Sequence, residues 1–230
     1  MVPPPRLLVA VALLSAAALG TEVVLLRLFA IVQWQHVASS IVSLALLGYG
    51  VSGTVLVLTR DWAERRFTLL FTGNTVLFAV TALAAPPIAQ HIPFNPLALF
   101  WESKQILLLA GSYALAALPF LFAASAIGLA LQEHRRLPQA VYAADLFGAG
   151  FGAVVSLAML TISPPNGAIR LLAAIGFLAA AVAVPGWRGR TPLVGLAIIA
   201  LFLPGGWMAL HISPYKPLSQ ALKIGRASCR

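Results

Sequence analysis

Seven stretches of the chain, residues 7–32, 37–58, 67–89, 105–131, 141–162, 169–184 and 192–210, are almost continuously apolar. Each approaches or exceeds the roughly 20 residues that a helix needs to cross the ~30 Å hydrocarbon core of a bilayer. Only 9 % of the 230 residues are charged, against roughly 25 % in a soluble globular domain. A chain so poor in charge cannot clothe a water-facing exterior, so its outer solvent is lipid. The expected fold is all-α: a polytopic transmembrane helix bundle of about seven helices, within a range of six to eight. Barrel strands are excluded because they alternate in short segments, whereas these runs are unbroken. Breakers sit between the runs: Pro86 and Pro87, Pro93 and Pro96, Pro164 to Gly167, and Pro185 with Gly186.

The first run resembles a secretory signal, with Arg6 ahead of an apolar core and the small residues Ser15 to Ala18. Its apolar character continues to Val32, longer than a signal core, so a retained helix is expected. Charge then gives orientation. Lys and Arg number 15 against 6 Asp and Glu. In a soluble protein that excess would raise nucleic acid as a partner; here it lies in short loops, so the bilayer is the expected partner and nucleic acid is not. Arg6, Arg60, Arg65, Arg66, Arg135, Arg136, Arg188 and Arg190 fall on one set of alternate connections. The opposite set holds only Lys104. Cytoplasmic loops are the basic ones, which places the N-terminus in the cytoplasm and the protein in a plasma membrane, the inner membrane of a bacterium. Seven full crossings would then leave the C-terminus outside.

A charge at the bilayer centre costs at least ~2.5–3.5 kcal/mol on insertion scales, so each one needs a reason. Glu22 and Arg27 lie in the first run and Asp145 early in the fifth. Five residues turn a helix through about 140°, so Glu22 and Arg27 face different neighbours, and Asp145 is the expected partner of Arg27. Two readings stay open: a polar clamp that fixes helix register, or a proton- or substrate-linked site. Small residues suggest close helix packing at Gly48, Ser52 and Gly53 in the second run and at Gly148 and Gly152 in the fifth.

Other chemistry is absent from the pattern. Gly148 to Ala153 matches a dinucleotide-binding glycine fingerprint in spacing, but that motif needs a preceding strand and an acid about twenty residues on. No Asp or Glu follows Asp145. His36, His91, His134 and His211 lack metal-site spacing, and the Trp residues mostly mark span ends. No catalytic set, metal site or cofactor site is expected in the chain as given. Residues 91–104 are expected to form either an interfacial segment or an ordinary loop.

Three stretches carry a resemblance. Gly20-Thr-Glu22-Val-Val-Leu-Leu-Arg27-Leu28, with a glycine-rich second helix at Leu47 to Gly53, is the first. Tyr142-Ala-Ala-Asp145-Leu-Phe-Gly148-Ala-Gly150-Phe-Gly152-Ala153 is the second, and Ile212 to Leu222 is the third. Together they resemble the membrane portion of integral-membrane spermidine synthase-like proteins. In that family a multi-helix domain is fused to a C-terminal aminopropyltransferase-like or methyltransferase-like domain. The resemblance implies a membrane anchor or transport-like domain, with Glu22, Arg27, Tyr142 and Asp145 as its polar helix residues, although the family often carries Asn where this chain has Asp145. It also implies that an S-adenosyl-type cosubstrate and the catalytic residues would belong to a domain beyond this chain, with polyamines as the substrate class. Residues 1–211 are then the membrane domain and 212–223 the start of the truncated domain or a linker. Residues 224–230, Ile-Gly-Arg-Ala-Ser-Cys-Arg, spell an in-frame translation of a common sequencing adapter and are expected not to be natural protein. A cytoplasmic cosubstrate conflicts with seven crossings and is reconciled if residues 192–210 do not fully cross. A stand-alone small-solute transporter and a structural membrane subunit are the alternative functions.

Overall fold

The computed structural model describes residues 3–32, 35–92, 101 and 103–203. Eight helices account for nearly all of them: α1 (Pro5–Val32), α2 (Gln35–Leu58), α3 (Arg60–Arg65), α4 (Phe67–His91), α5 (Ser103–Glu133), α6 (Pro138–Ile162), α7 (Pro165–Ala183) and α8 (Trp187–Phe202). No strand occurs among the described residues. Six of the eight, α1, α2, α4, α5, α6 and α7, are long and apolar enough to cross a bilayer. The protein is an all-α bundle and an integral membrane protein. The tail segments 212–223 and 224–230, Trp34, Trp207 and His211 lie outside the described residues, as does nearly all of the 91–104 connection.

Lipid is written into the burial pattern. The core is built of small side chains, with Ala10, Ala17, Ala79, Ala123, Ala126 and Ala173 fully shielded. Large apolar groups point outward instead: on α6, Phe147, Phe151, Val154 and Ile162 are all exposed. Small residues inside let helix backbones approach, which drives association where the hydrophobic effect between helices is absent. No Asp, Glu, Lys or Arg is fully buried among the described residues. Several buried hydroxyls satisfy themselves locally, as Thr21 donating to the Ala17 carbonyl and Ser125 to that of Leu121, the usual economy of a helix in lipid.

Two packed layers divide the interior. Leu7, Val11, Phe71, Ile127, Val141 and Phe177 meet toward the basic end. Val24, Leu28, Ile41, Phe120 and Ile169 meet toward the other. The central element is α1, which packs on α2, α5, α6 and α7. Its small-residue stretch is thus interior packing surface of the bundle.

The structure revises the sequence reading at several joints. Residues 164–167 were expected to be loop, but α7 begins at Pro165, because proline is preorganised for a helix's first turn, where its missing N–H is not needed. Pro86 and Pro87 do not end α4, which runs through them to His91. The basic link after α2 contains a six-residue helix, α3, whose Trp62 lies under the Arg66 guanidinium at 5.7 Å. The seventh expected run corresponds to α8, which starts earlier, at Trp187, and whose 16 described residues extend only ~24 Å. It folds back along α7 across Gly186, whose φ of 100° is open to glycine and strained for other residues. Near the far end, Arg170 of α7 donates to the carbonyl of Leu203 at 2.7 Å, so a cation caps the negative end of α8.

Candidate functional site

Two faces of α1 do different work. Ala12, Ala16 and Gly20 form a groove against α6. A methyl added to Gly148 would strike the backbone of Ala12, one on Gly152 would strike that of Ala16, and Gly20 meets Ser156. The matching order of these pairs shows that α1 and α6 run parallel, in backbone contact over two turns. Gly48 makes a comparable approach on α2, against Leu121, Phe120 and Ala117 of α5. Gly53 is different: it is exposed, with nothing within 4 Å of where a Cβ would stand, so it packs against no neighbour.

Ser15, Ala18, Leu19 and Glu22 occupy the other face at helical spacing. The close α1–α6 seam brings Asp145 beside this face, and Ser15 donates its hydroxyl hydrogen to Asp145 Oδ1 at 2.5 Å. Opposite stand Tyr49 and Ser52 of α2, one turn apart, with Ala124, Ile127, Gly128 and Leu131 of α5 closing a wall. With Ser15, Ala18, Leu19 and Asp145 they line a cavity of about 320 Å³ between α1, α2, α5 and α6. The Tyr49 phenol lies within electrostatic reach of both Glu22 and Asp145. Ser52 turns its own hydroxyl back to the Tyr49 carbonyl at 2.8 Å. The pocket runs from Leu19, in the middle of α1, toward the basic end, where Leu131 lies two residues from the end of α5.

The expected Arg27–Asp145 pair does not form. Arg27 lies 12 residues beyond Ser15 on α1, ~18 Å along the axis, and is exposed. Close to the C-terminal end of α1, its long side chain can snorkel to the interface and complement the helix dipole. Among the described residues the ion pairs are Arg60 and Arg135, both with Glu64, at the basic surface. Asp145 in the pocket and Glu22 near its Tyr49 therefore stand without a cationic side chain among the described residues. Tyr142, one turn before Asp145, is 54 % exposed and points away from the cavity.

Sequence reasoning missed Ser15 and Tyr49, although Ser15 and Glu22 are seven residues apart and so share a face. It also passed over Arg170, an arginine inside an apolar run. Among the described residues no cluster of His, Cys, Asp and Glu could hold a metal. What the fold and the pocket define is an integral membrane helix bundle with an acidic, hydroxyl-bearing cavity in its basic-end half. No family model, curated protein or solved structure matches the chain.

Proposed function

We propose that this chain is the membrane-embedded, transport-like N-terminal portion of a spermidine synthase-like fusion protein, and that its pocket holds a cationic amine in passage. One observation carries the reading. Two of the segments that bear the resemblance, around Tyr49 and around Asp145, meet at a single cavity although they are far apart in the chain, and Glu22 of the remaining one lies within electrostatic reach of Tyr49. Two carboxylates with no cationic partner inside an apolar bundle are costly, and a bound ammonium group recovers that cost by charge-assisted hydrogen bonds. Ser15 orients Asp145; Tyr49 offers an aromatic face and an oxygen, both suited to an alkylammonium. The cavity volume fits a slender aliphatic amine.

The orientation we assign puts the N-terminus in the cytoplasm of a bacterial inner membrane, on the strength of the eight arginines gathered at one end. A cysteine placed at Pro4 should then label only from the cytoplasmic side in inverted vesicles. Function is tested with the full chain in proteoliposomes loaded against labelled putrescine or spermidine. Wild type should accumulate amine, and Glu22→Gln with Asp145→Asn should cut uptake at least tenfold while eluting as the same folded species in detergent. Unchanged uptake in that double variant would reject the pocket as the site.

A stand-alone transporter is the second reading, favoured by a pocket that is complete within the bundle. The uninterrupted gene separates the two: an open reading frame continuing past Leu222 into a nucleotide-binding domain supports the fusion, and a natural stop there removes it.

A further inference from the structure

A groove larger than the acidic pocket stands elsewhere in the bundle. It lies at the basic end, where the first turn of α1 meets the α7–α8 hairpin, and has a volume of about 520 Å³. Its floor is apolar, formed by Leu178 of α7 with Val194 and Ile198 of α8, while Arg6, Arg190 and Trp187 stand at its mouth. Arg190 is anchored by its Nε, which donates to the Val184 carbonyl at 3.0 Å, leaving its terminal nitrogens for another acceptor. Trp187 is 78 % exposed at the first position of α8, where an indole sits naturally among headgroups.

We propose that this groove seats one anionic phospholipid, with its phosphate between Arg6 and Arg190 and an acyl chain along Leu178, Val194 and Ile198. Charge decides the occupant. No acid precedes Glu22 in the sequence and none follows Asp145. Among the described residues Arg6, Arg188 and Arg190 enter no ion pair. The neighbouring basic surface differs, because Glu64 there already takes both Arg60 and Arg135. A second copy of the chain would bring the same basic end to the groove and be repelled. The residues from 204 to 223 add Lys216 and Lys223 and no acid, so they are equally mismatched. A lipid of the surrounding leaflet supplies both the missing negative charge and a chain that fits the floor, as basic clefts between membrane helices do for acidic headgroups.

The test uses the full chain in phosphatidylcholine nanodiscs containing a minor fraction of phosphatidylglycerol, followed by release into mild detergent and native mass spectrometry. Wild type should retain one phosphatidylglycerol in preference to phosphatidylcholine. Arg6→Gln with Arg190→Gln should weaken retention about thirtyfold, Arg6→Lys with Arg190→Lys should keep most of it, and Arg65→Gln should leave it unchanged. Val194→Trp, which fills the groove and leaves the charges alone, should also lose the lipid and serves if the double glutamine variant does not fold. Equal retention of both lipids, retention in the glutamine and tryptophan variants alike, or displacement by inorganic phosphate at moderate ionic strength would each overturn the proposal.

Discussion

Gly148, Gly150 and Gly152 alternate along α6, and replacing each by alanine should separate them sharply. A Cβ on Gly148 or Gly152 would lie against the backbone of Ala12 or Ala16, far inside the 3.4–4 Å of ordinary contact. Backbone cannot rotate out of the way as a side chain can, so α1 and α6 must part by ~1 Å. A gap of that size forfeits up to about half of each contact's attraction, and overpacking of this kind costs ~1–3 kcal/mol per site. Because the clash is with backbone, the upper part of that range, ~2–3 kcal/mol, applies; alanine returns about 1 kcal/mol through helix propensity, leaving a net loss of ~1–2 kcal/mol for either single variant. The double variant should lose less than the sum, because helices already parted for one methyl accommodate the second. At Gly150 nothing lies within 4 Å, so Gly150→Ala should be neutral or slightly stabilising. Reversible unfolding of the full chain in mixed micelles, titrated with a denaturing detergent, measures all four. Equal losses at the three positions, or a harmless Gly148→Ala with Gly152→Ala, would refute the parallel α1–α6 seam.

Other consequences are as direct. Arg27→Gln should change stability by no more than ~0.5 kcal/mol in the same titration, as expected for an exposed side chain without a partner, whereas a clamp to Asp145 would make it severe. Arg170→Met removes the charge-assisted bond to Leu203 and should cost ~1.5–3 kcal/mol; a cysteine at Ile198 should then become more reactive to a membrane-permeant thiol reagent as α8 loosens. Gly186→Ala places a side chain at φ 100° and ψ 145°, backbone essentially reserved for glycine, and should cost ~1–3 kcal/mol, read as a lower unfolding midpoint. Glu64→Gln breaks two ion pairs that stand in solvent, and each is worth ~0–1 kcal/mol, so the midpoint should barely move at physiological salt.

The helices that span were readable from unbroken apolar runs, because a crossing length is set by the bilayer and not by tertiary detail. Depth and neighbourhood were not. Spacing along α1 tells that Glu22 and Arg27 diverge, yet nothing in one dimension says that Asp145 stands beside Ser15 and ~18 Å short of Arg27. The Gly-x-x-x-Gly spacing marked Gly148 and Gly152 as the packing pair of α6, but only the structure names what they meet, the backbones of Ala12 and Ala16. Gly53, read with Gly48 as packing surface, faces outward because only the Gly48 side of α2 meets α5. The short α3 escaped notice since Arg-Asp-Trp-Ala-Glu-Arg has no apolar run to mark it, and Pro165 was read as an interruption where it initiates.

Ser15 and Asp145 are 130 residues apart in the chain, and this separation has a temporal side. At ~5–20 residues per second of synthesis, the first helix waits on the order of ten seconds in the bilayer before its mate is made. Throughout that interval a bare stripe of alanine and glycine, with a carboxylic acid beside it, faces lipid or an insertion chaperone. The seam on this face of α1 is therefore closed only when α6 arrives, and a chain stalled before it leaves Ala12, Ala16 and Gly20 without their mates.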